Sequence, residues 1–247
     1  NPDNDRSSIQ VLRCFADGCD QVAEYAFAMT NTRQLAWIIA SLLGWYGFHP
    51  RNEVRYILEL NGPGTAVWNE LRALKQQIEM GYPPLTDEPG LKNIFRNVAA
   101  YINTRNDALG AGSNWHIKTT MQSKVADLET LKDYTTNGQL RIRSADLIDE
   151  MKTIAREDNT IKAAGTKKDD RTLAMAFAVR CWMHKTRPRL VAQKLTRAAV
   201  AARQEMKIVN QVFLFNQNTL EGFFKQKQSQ RLQQDAMLRR QAWRYRR

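Results

Sequence analysis

The sequence predicts a mixed α/β fold, a sheet flanked by helices, followed by a basic helical extension. Two apolar runs around Asp17-Gly18 indicate a β-hairpin near the start of the chain. Strand-like and helix-like segments then alternate, which favours a mixed sheet covered by helices. From about residue 186 the composition shifts to long stretches rich in Gln, Arg and Ala. We therefore expect one domain over 1–185 and a basic, mostly helical tail over 186–247.

The first half of the domain is predicted from apolar periodicity and turn residues. The hairpin strands are expected at 8–15 and 19–29, followed by a helix that Thr30-Asn31-Thr32 can cap. The run Val-Arg-Tyr-Ile-Leu-Glu-Leu predicts a strand at 54–60, and apolar residues at helical spacing predict a helix at 65–80. A further strand is expected at 98–103.

The second half is predicted in the same way. We expect a helix at 120–136, a short strand at 139–143 and a helix capped by Ser144. A loop at 163–168 precedes a helix over 171–185. The tail is expected to hold helices at 192–209 and 220–240.

Composition and charge limit the class of protein. A hydrophobic fraction of 43% and a charged fraction of 25% exclude general disorder and a collagen-like chain. No apolar run approaches the ~20 residues of a membrane span, so no membrane contact is predicted. Three cysteines without a metal-binding spacing indicate reduced thiols.

The positive charge is concentrated at the end of the chain. The net charge is +12, and residues 171–247 carry 17 Lys or Arg against three acidic residues. A basic tail on a near-neutral domain indicates a polyanion or an acidic partner surface. The alternative is a solvated helical face.

Glu59 is the first candidate site residue. It lies inside an apolar strand, at the end nearest the break at Gly62-Pro63-Gly64. A carboxylate there is costly to desolvate unless it is paired, hydrogen-bonded or bound to a cation. Sites in α/β sheets cluster at the carboxyl ends of strands, which favours a functional role. Alternatively, Glu59 points outward on an edge strand or pairs with Arg55 or Arg13.

Asp169 and Asp170 are the second candidate feature. Two acids at a helix start are usually a cap and a complement to the helix dipole. A carboxylate at a strand end and one opening a late helix can also meet across one site. Such oxygen ligands suit Mg²⁺ or Mn²⁺. Two such ions, ~3.5–4 Å apart, can activate water and stabilise the leaving oxygen in phosphodiester cleavage.

Several segments, agreeing in order and spacing, resemble the nuclease domain of tailed-phage large terminase subunits over roughly residues 4–185. They are NDRSSIQVLRCFADGCDQVAEYA, VRYILELNGPGTAVWNELRALKQQIE, GAGSNWHIKT, SADLIDEMKTIAREDNTI and KKDDRTLAMAFAVRCW. This resemblance implies an RNase H-like fold and an endonuclease that cuts concatemeric viral DNA during packaging into a capsid. The tail after 186 resembles no family known to us.

The resemblance also implies roles, ions and partners. Glu59 and Asp170 match the family's metal-binding acids, and Asp169 is a frequent companion, so two Mg²⁺ or Mn²⁺ ions are expected as cofactors. The implied partners are double-stranded DNA, the portal protein and the small terminase subunit. The implied location is the host cytoplasm, at the procapsid portal. The packaging ATPase would lie outside this sequence, because no P-loop motif is present.

One acid of the family pattern is missing from its expected place. The family's first catalytic Asp lies on a first, central strand ahead of the NDRS segment, whereas residues 1–7 are too polar and short for a strand. We expect that strand and its Asp to lie upstream of Asn1. The alternative is that Asp3 or Asp5 serves instead.

Weaker candidates and rival functions remain open at the level of sequence. Four side chains are candidate phosphate contacts: His116, Lys118, Lys167 and Lys168. Their alternative roles are ordinary exposed positions and charge balance. A catalytically incomplete RNase H-like scaffold, binding DNA or portal protein through its basic tail, is the main alternative function. A DDE-type recombinase would share the fold and the acid triad, but the segment resemblance argues against it.

Overall fold

The computed structural model describes residues 6–47, 54–80, 116–157, 160–163 and 168–203. By contacts the chain divides into two units, Asn1–Thr196 and Arg197–Arg247. The described part of the second unit, 197–203, is helical. The expected strand at 98–103, the expected helix at 220–240, and Asp3 and Asp5 lie outside the described residues.

The first unit is mixed α/β, as predicted. Its strands are β1 (Ser7–Phe15), β2 (Gly18–Phe27), β3 (Leu140–Arg141), β4 (Ile154–Glu157) and β5 (Thr160–Ala163). Its helices are α1 (Thr32–Gly47), α2 (Gly64–Glu79), α3 (Met121–Thr136), α4 (Ala145–Met151), α5 (Asp170–Cys181) and α6 (Arg187–Ala192). A π-helical turn, Trp182–Thr186, joins α5 to α6.

The predicted hairpin supplies two strands of a three-stranded sheet. β1 pairs antiparallel with β2, with Phe15 opposite Gly18 at the turn and a register irregularity after Val11. β2 pairs in parallel with β3, which gives the order β1-β2-β3. Among the described strands, β1 is therefore an edge strand.

Helices cover both faces of this sheet. On one face, buried side chains of α1 and α2, among them Leu43 and Leu71, form a hydrophobic cluster that we call the upper cluster. Ile9 of β1 packs against it. α3, α4, α5 and Trp182 form a lower cluster, against which Leu12 of β1 packs. Because Ile9 and Leu12 are three residues apart on one strand, they point to opposite faces. Helices on both sides explain why β1 carries apolar side chains on both of its faces.

The predicted strand at 54–60 forms only in part. The segment is extended, but the described residues give it a single parallel bridge, between Glu59 and Ile117. Its apolar side chains Val54, Tyr56 and Leu58 pack on the upper cluster. This segment and β1 therefore share the helices α1 and α2, without a hydrogen-bonded ladder between them in the described ranges.

The second half of the chain differs from the prediction in two places. The hairpin of β4 and β5, in which Ile154 pairs with Ala163 and Glu157 pairs with Thr160, was not among the predicted elements. The helix expected over 192–209 is interrupted, because α6 ends at Ala192 and the helix resumes only at 197. Lys194 adopts φ 53°, and the amides of Lys194 and Leu195 donate to the carbonyls of Val191 and Leu190. This Schellman pairing ends α6.

The segment that follows α5 is fixed to the hairpin turn. The buried Trp182 indole donates its Nε1–H to the Phe15 carbonyl at 2.9 Å. The amide of Ala16 donates to the Leu195 carbonyl at 2.8 Å, and Arg187 Nε lies 3.4 Å from the Ala16 carbonyl. Residues 186–196, which the sequence analysis assigned to the tail, thus pack within the first unit.

Candidate functional site

Glu59 lies where the extended segment meets Ile117. The amide of Leu60 donates to the Ile117 carbonyl at 2.8 Å, and the amide of Ile117 donates to the Leu58 carbonyl at 2.9 Å. These two bonds fix the backbone on both sides of Glu59. Its side chain is half-buried and forms no hydrogen bond or ion pair with any residue that the structure describes. The alternative pairing of Glu59 with Arg55 or Arg13 is therefore not seen in the described ranges.

The turn after Glu59 is held tightly against α2. A Cβ at Gly64 would lie 1.7 Å from the Glu59 carbonyl oxygen, so only glycine fits there. The Thr65 hydroxyl donates to the Leu60 carbonyl, and the Asn61 amide donates to the Thr119 carbonyl, both at 2.8 Å. The break at 61–64 thus gives Glu59 a defined backbone position.

Asp169 and Asp170 open α5, as predicted. Asp169 is the N-cap residue, yet its side chain accepts no capping bond. Instead its Oδ2 contacts Lys124 Nζ of α3 at 2.6 Å, with both side chains mostly buried. Asp170 Oδ2 accepts the backbone N–H of Arg6 at 2.9 Å. The two acids thereby join the start of α5 to α3 and to the beginning of β1.

The next two residues of α5 are anchored as firmly. The Arg171 guanidinium, 14% exposed, contacts Glu24 Oε1 at 2.9 Å and Glu150 Oε2 at 3.7 Å. Glu150 is 7% exposed, and its Oε1 accepts both the amide and the hydroxyl of Thr172. Gln21 bonds to Glu24 and also accepts the amide of Ser144 at the start of α4. A polar network therefore holds the first turn of α5 against the hairpin and α4.

A second ion pair lies further along α5. Arg180 Nη1 contacts both carboxylate oxygens of Asp127, at 3.3 and 3.0 Å. Burial raises the pKa of Asp127 above its ordinary value of 3.8, and the charge of Arg180 opposes that rise. The pair fixes α3 against α5 one turn along α3 from Lys124.

The candidate phosphate contacts differ in their surroundings. His116 packs its ring 5.3 Å from that of Tyr56 and 6.4 Å from that of Trp68, and its Nδ1 accepts the amide of Leu58. Lys118 is exposed and forms no ion pair within the described part of the chain. Lys168 is half-buried beside Asp169. Lys167 lies outside the described residues. Contact with phosphate stays a prediction for all four.

The structure brings together some of the predicted residues. Asp169 and Asp170 share one helix start, whereas Glu59 lies on a different segment with no contact to either within the described ranges. Those ranges contain no group of three or more His, Cys, Asp or Glu arranged to hold an ion. Sequence reasoning missed Lys124, Arg171 and Glu150. Glu150 could have been predicted from its spacing. It lies three residues after Leu147 on α4, which places its carboxylate on the buried face of that helix.

Comparison with known proteins finds no matching family model and no matching curated protein. In the described part of the chain, every helix is too short or too polar to cross a membrane.

Proposed function

We propose that this chain is the nuclease part of a tailed-phage large terminase, with an RNase H-like fold, acting as a divalent-metal-dependent endonuclease on concatemeric viral DNA. Its partners are double-stranded DNA, the portal protein and the small terminase subunit, in the host cytoplasm at the procapsid portal. Residues 197–247 form a basic tail for DNA or portal contact. The central strand and its Asp are contributed from outside the described residues.

One observation carries this proposal beyond the segment resemblance. Asp169 and Asp170 open a helix that is anchored by four consecutive side chains, and Asp170 is bonded to Arg6 at the start of β1. Acids held this rigidly suit a site that must keep its ligand geometry during a reaction. Helices on both faces of the hairpin sheet, and a second extended segment under α1 and α2, are compatible with an RNase H-like sheet.

The predicted ligands suit a hard divalent ion by their chemistry, although the described residues bring only Asp169 and Asp170 together. Glu59, Asp169 and Asp170 offer carboxylate oxygens, the ligands that Mg²⁺ and Mn²⁺ prefer. When bound, two such ions would supply water activation and stabilisation of the leaving oxygen. The Arg6 amide orients the Asp170 carboxylate, and Lys124 holds the Asp169 carboxylate in place.

Plasmid cleavage with Mg²⁺ or Mn²⁺ tests the proposal. The variants are Glu59→Ala and Asp170→Ala, with Asp149→Ala as the matched control, because Asp149 is an exposed acid paired with exposed Lys152. Cleavage that needs the metal and is lost in both variants but kept in the control supports the nuclease. Cleavage that survives in both variants refutes these site residues.

A second candidate function is a catalytically incomplete scaffold that binds DNA or portal protein through the basic tail. It is favoured by the 2.6 Å contact between Lys124 and Asp169, since a protein partner already neutralises that acid. Isothermal titration calorimetry with Mn²⁺ distinguishes the two candidate functions without a measurement of nuclease activity. Binding that Asp170→Ala weakens and Asp149→Ala leaves unchanged favours the nuclease. If neither Mn²⁺ binding nor cleavage is detected, both assays are repeated on a protein that includes any sequence preceding Asn1 in the gene. If binding and cleavage are still absent, the scaffold is favoured.

A further inference from the structure

Two of the three cysteines face each other across the hairpin. Cys14 of β1 lies opposite Cys19 of β2, one pair inward from the closing pair of Phe15 and Gly18. The amide of Cys19 donates to the Gln139 carbonyl at 2.8 Å, so the backbone polar groups of Cys19 point away from β1. Cys14 and Cys19 are therefore a non-hydrogen-bonded pair, whose Cα atoms lie about 4.5 Å apart in a regular hairpin.

That register suits a covalent link. Disulfides span Cα separations of roughly 4.4–6.8 Å, which includes such a pair. Directly opposed residues of an antiparallel pair point to the same face, and both cysteines pack into the lower cluster. The backbone thus brings the two sulfurs to one face without any change in strand pairing.

The three thiols differ in access. Cys14 is half-buried, whereas Cys19 and Cys181 are buried. Burial also raises the pKa of Cys181 to about 12, so it is almost entirely protonated near neutral pH. An external reagent should therefore reach Cys14 first, and Cys181 serves as an internal reference thiol.

We propose that Cys14 and Cys19 are an oxidisable pair that closes a cross-strand disulfide on exposure to a small-molecule disulfide such as oxidised glutathione. The Cys14 thiolate attacks one sulfur of the reagent, forms a mixed disulfide and releases one glutathione thiolate. The Cys19 thiolate then attacks the Cys14 sulfur and releases the second glutathione. Two protein thiols are oxidised, one glutathione disulfide is reduced, and the two protons end on the released thiols.

The position of the link gives it a consequence. Phe15 and Ala16 directly follow Cys14. The Phe15 carbonyl accepts the Trp182 indole N–H, and the Ala16 amide donates to the Leu195 carbonyl. A disulfide one pair away would lock the hairpin end to which the chain after α5 is attached. The oxidised protein should therefore protect the Ala16 amide more strongly against hydrogen exchange than the reduced protein does.

The test is a thiol count on folded protein treated with excess oxidised glutathione, then quenched, denatured and mapped by peptide mass. We expect the free thiols to fall from three to one, with Cys181 remaining and a loss of two hydrogens in the peptides that hold Cys14 and Cys19. Cys181→Ser should fall from two thiols to none. Cys19→Ala should instead keep a glutathione adduct on Cys14.

Three outcomes would overturn the proposal. They are a wild-type count that stays at three, a lasting glutathione adduct on Cys14, and a disulfide that joins Cys181. Peptide mapping of the wild type alone distinguishes these outcomes, so the test does not depend on the folding of a variant. It is also independent of nuclease activity.

Discussion

Replacing Gly64 by alanine should destabilise the protein through one backbone contact. Gly64 is the first residue of α2, and it lies against the carbonyl group of Glu59. An added Cβ would be 1.7 Å from the carbonyl oxygen and 2.8 Å from the carbonyl carbon. Because both atoms belong to the main chain, no side-chain rotation relieves the overlap. Either α2 or the segment around Glu59 must move by on the order of 1 Å.

The magnitude follows from two opposing effects. Overpacking of this kind costs typically 1–3 kcal/mol, and a rigid backbone partner favours the upper part of that range. Helix propensity favours alanine over glycine by at most about 1 kcal/mol, and less at the first residue of a helix. We therefore expect a net loss of about 2 kcal/mol. With a urea m-value of about 2 kcal/mol/M, the midpoint should fall by about 1 M.

Urea unfolding followed by circular dichroism measures this change. Gly62→Asn in the same turn is the matched control, because Gly62 has φ 52° but no atom within 4 Å of an added Cβ. Asn tolerates that left-handed conformation, so the control should lose less than about 1 kcal/mol. A Gly64→Ala protein as stable as the wild type, or more stable, would mean that helix propensity dominates and that the close contact does not exist.

Three further substitutions test other parts of the fold. Glu150→Ala should lower the free energy of unfolding by about 2 kcal/mol, because it removes the buried carboxylate that accepts the amide and the hydroxyl of Thr172. Asp127→Asn should flatten the pH dependence of stability above pH 3.8. The raised pKa makes the folded state bind more protons than the unfolded chain, so the wild type loses stability as pH rises through that pKa. Lys194→Gly should stabilise by about 0.5–1 kcal/mol, since glycine adopts φ 53° without strain.

Each of these substitutions has its own contrary result, read from unfolding curves, and Glu150→Ala also has a matched control. Exposed Asp149→Ala on the same helix should change stability by less than about 0.5 kcal/mol, and an equal loss there would remove the special role of Glu150. An unchanged slope of stability against pH in Asp127→Asn would contradict the burial of that carboxyl. A destabilised Lys194→Gly would mean that the Lys194 side chain contributes more than its strained backbone costs.

Local signals accounted for much of the fold. The hairpin was predicted because Asp17-Gly18 separates two apolar runs, and its strands form as expected. The helix after Ser144 was predicted from that cap, and Ser144 Oγ accepts the Leu147 amide at 3.1 Å. In both places the sequence determines the structure through residues at most a few positions apart.

The features that the sequence did not reveal depend on distant contacts. The interruption after α6 accompanies the bond between the Leu195 carbonyl and the Ala16 amide, and no local pattern signals that pairing. Likewise, Asp169 was predicted to open a helix, but its partner Lys124 is 45 residues away. In the sequence, Glu150 resembles any charged residue of a helix. Only the folded structure shows that it is buried beside Arg171.

The attachment of residues 182–195 to the hairpin turn determines how a mechanical force would enter the molecule. The second unit begins at Arg197, two residues after the Leu195 carbonyl that accepts the Ala16 amide. Tension on the C-terminal unit would therefore reach the turn between β1 and β2 first, before it could peel α6 away. The Trp182–Phe15 bond would resist next, because Trp182 is 2% exposed and held in the lower cluster. A pull on the chain at Arg197 would thus act first on the hairpin turn of the three-stranded sheet.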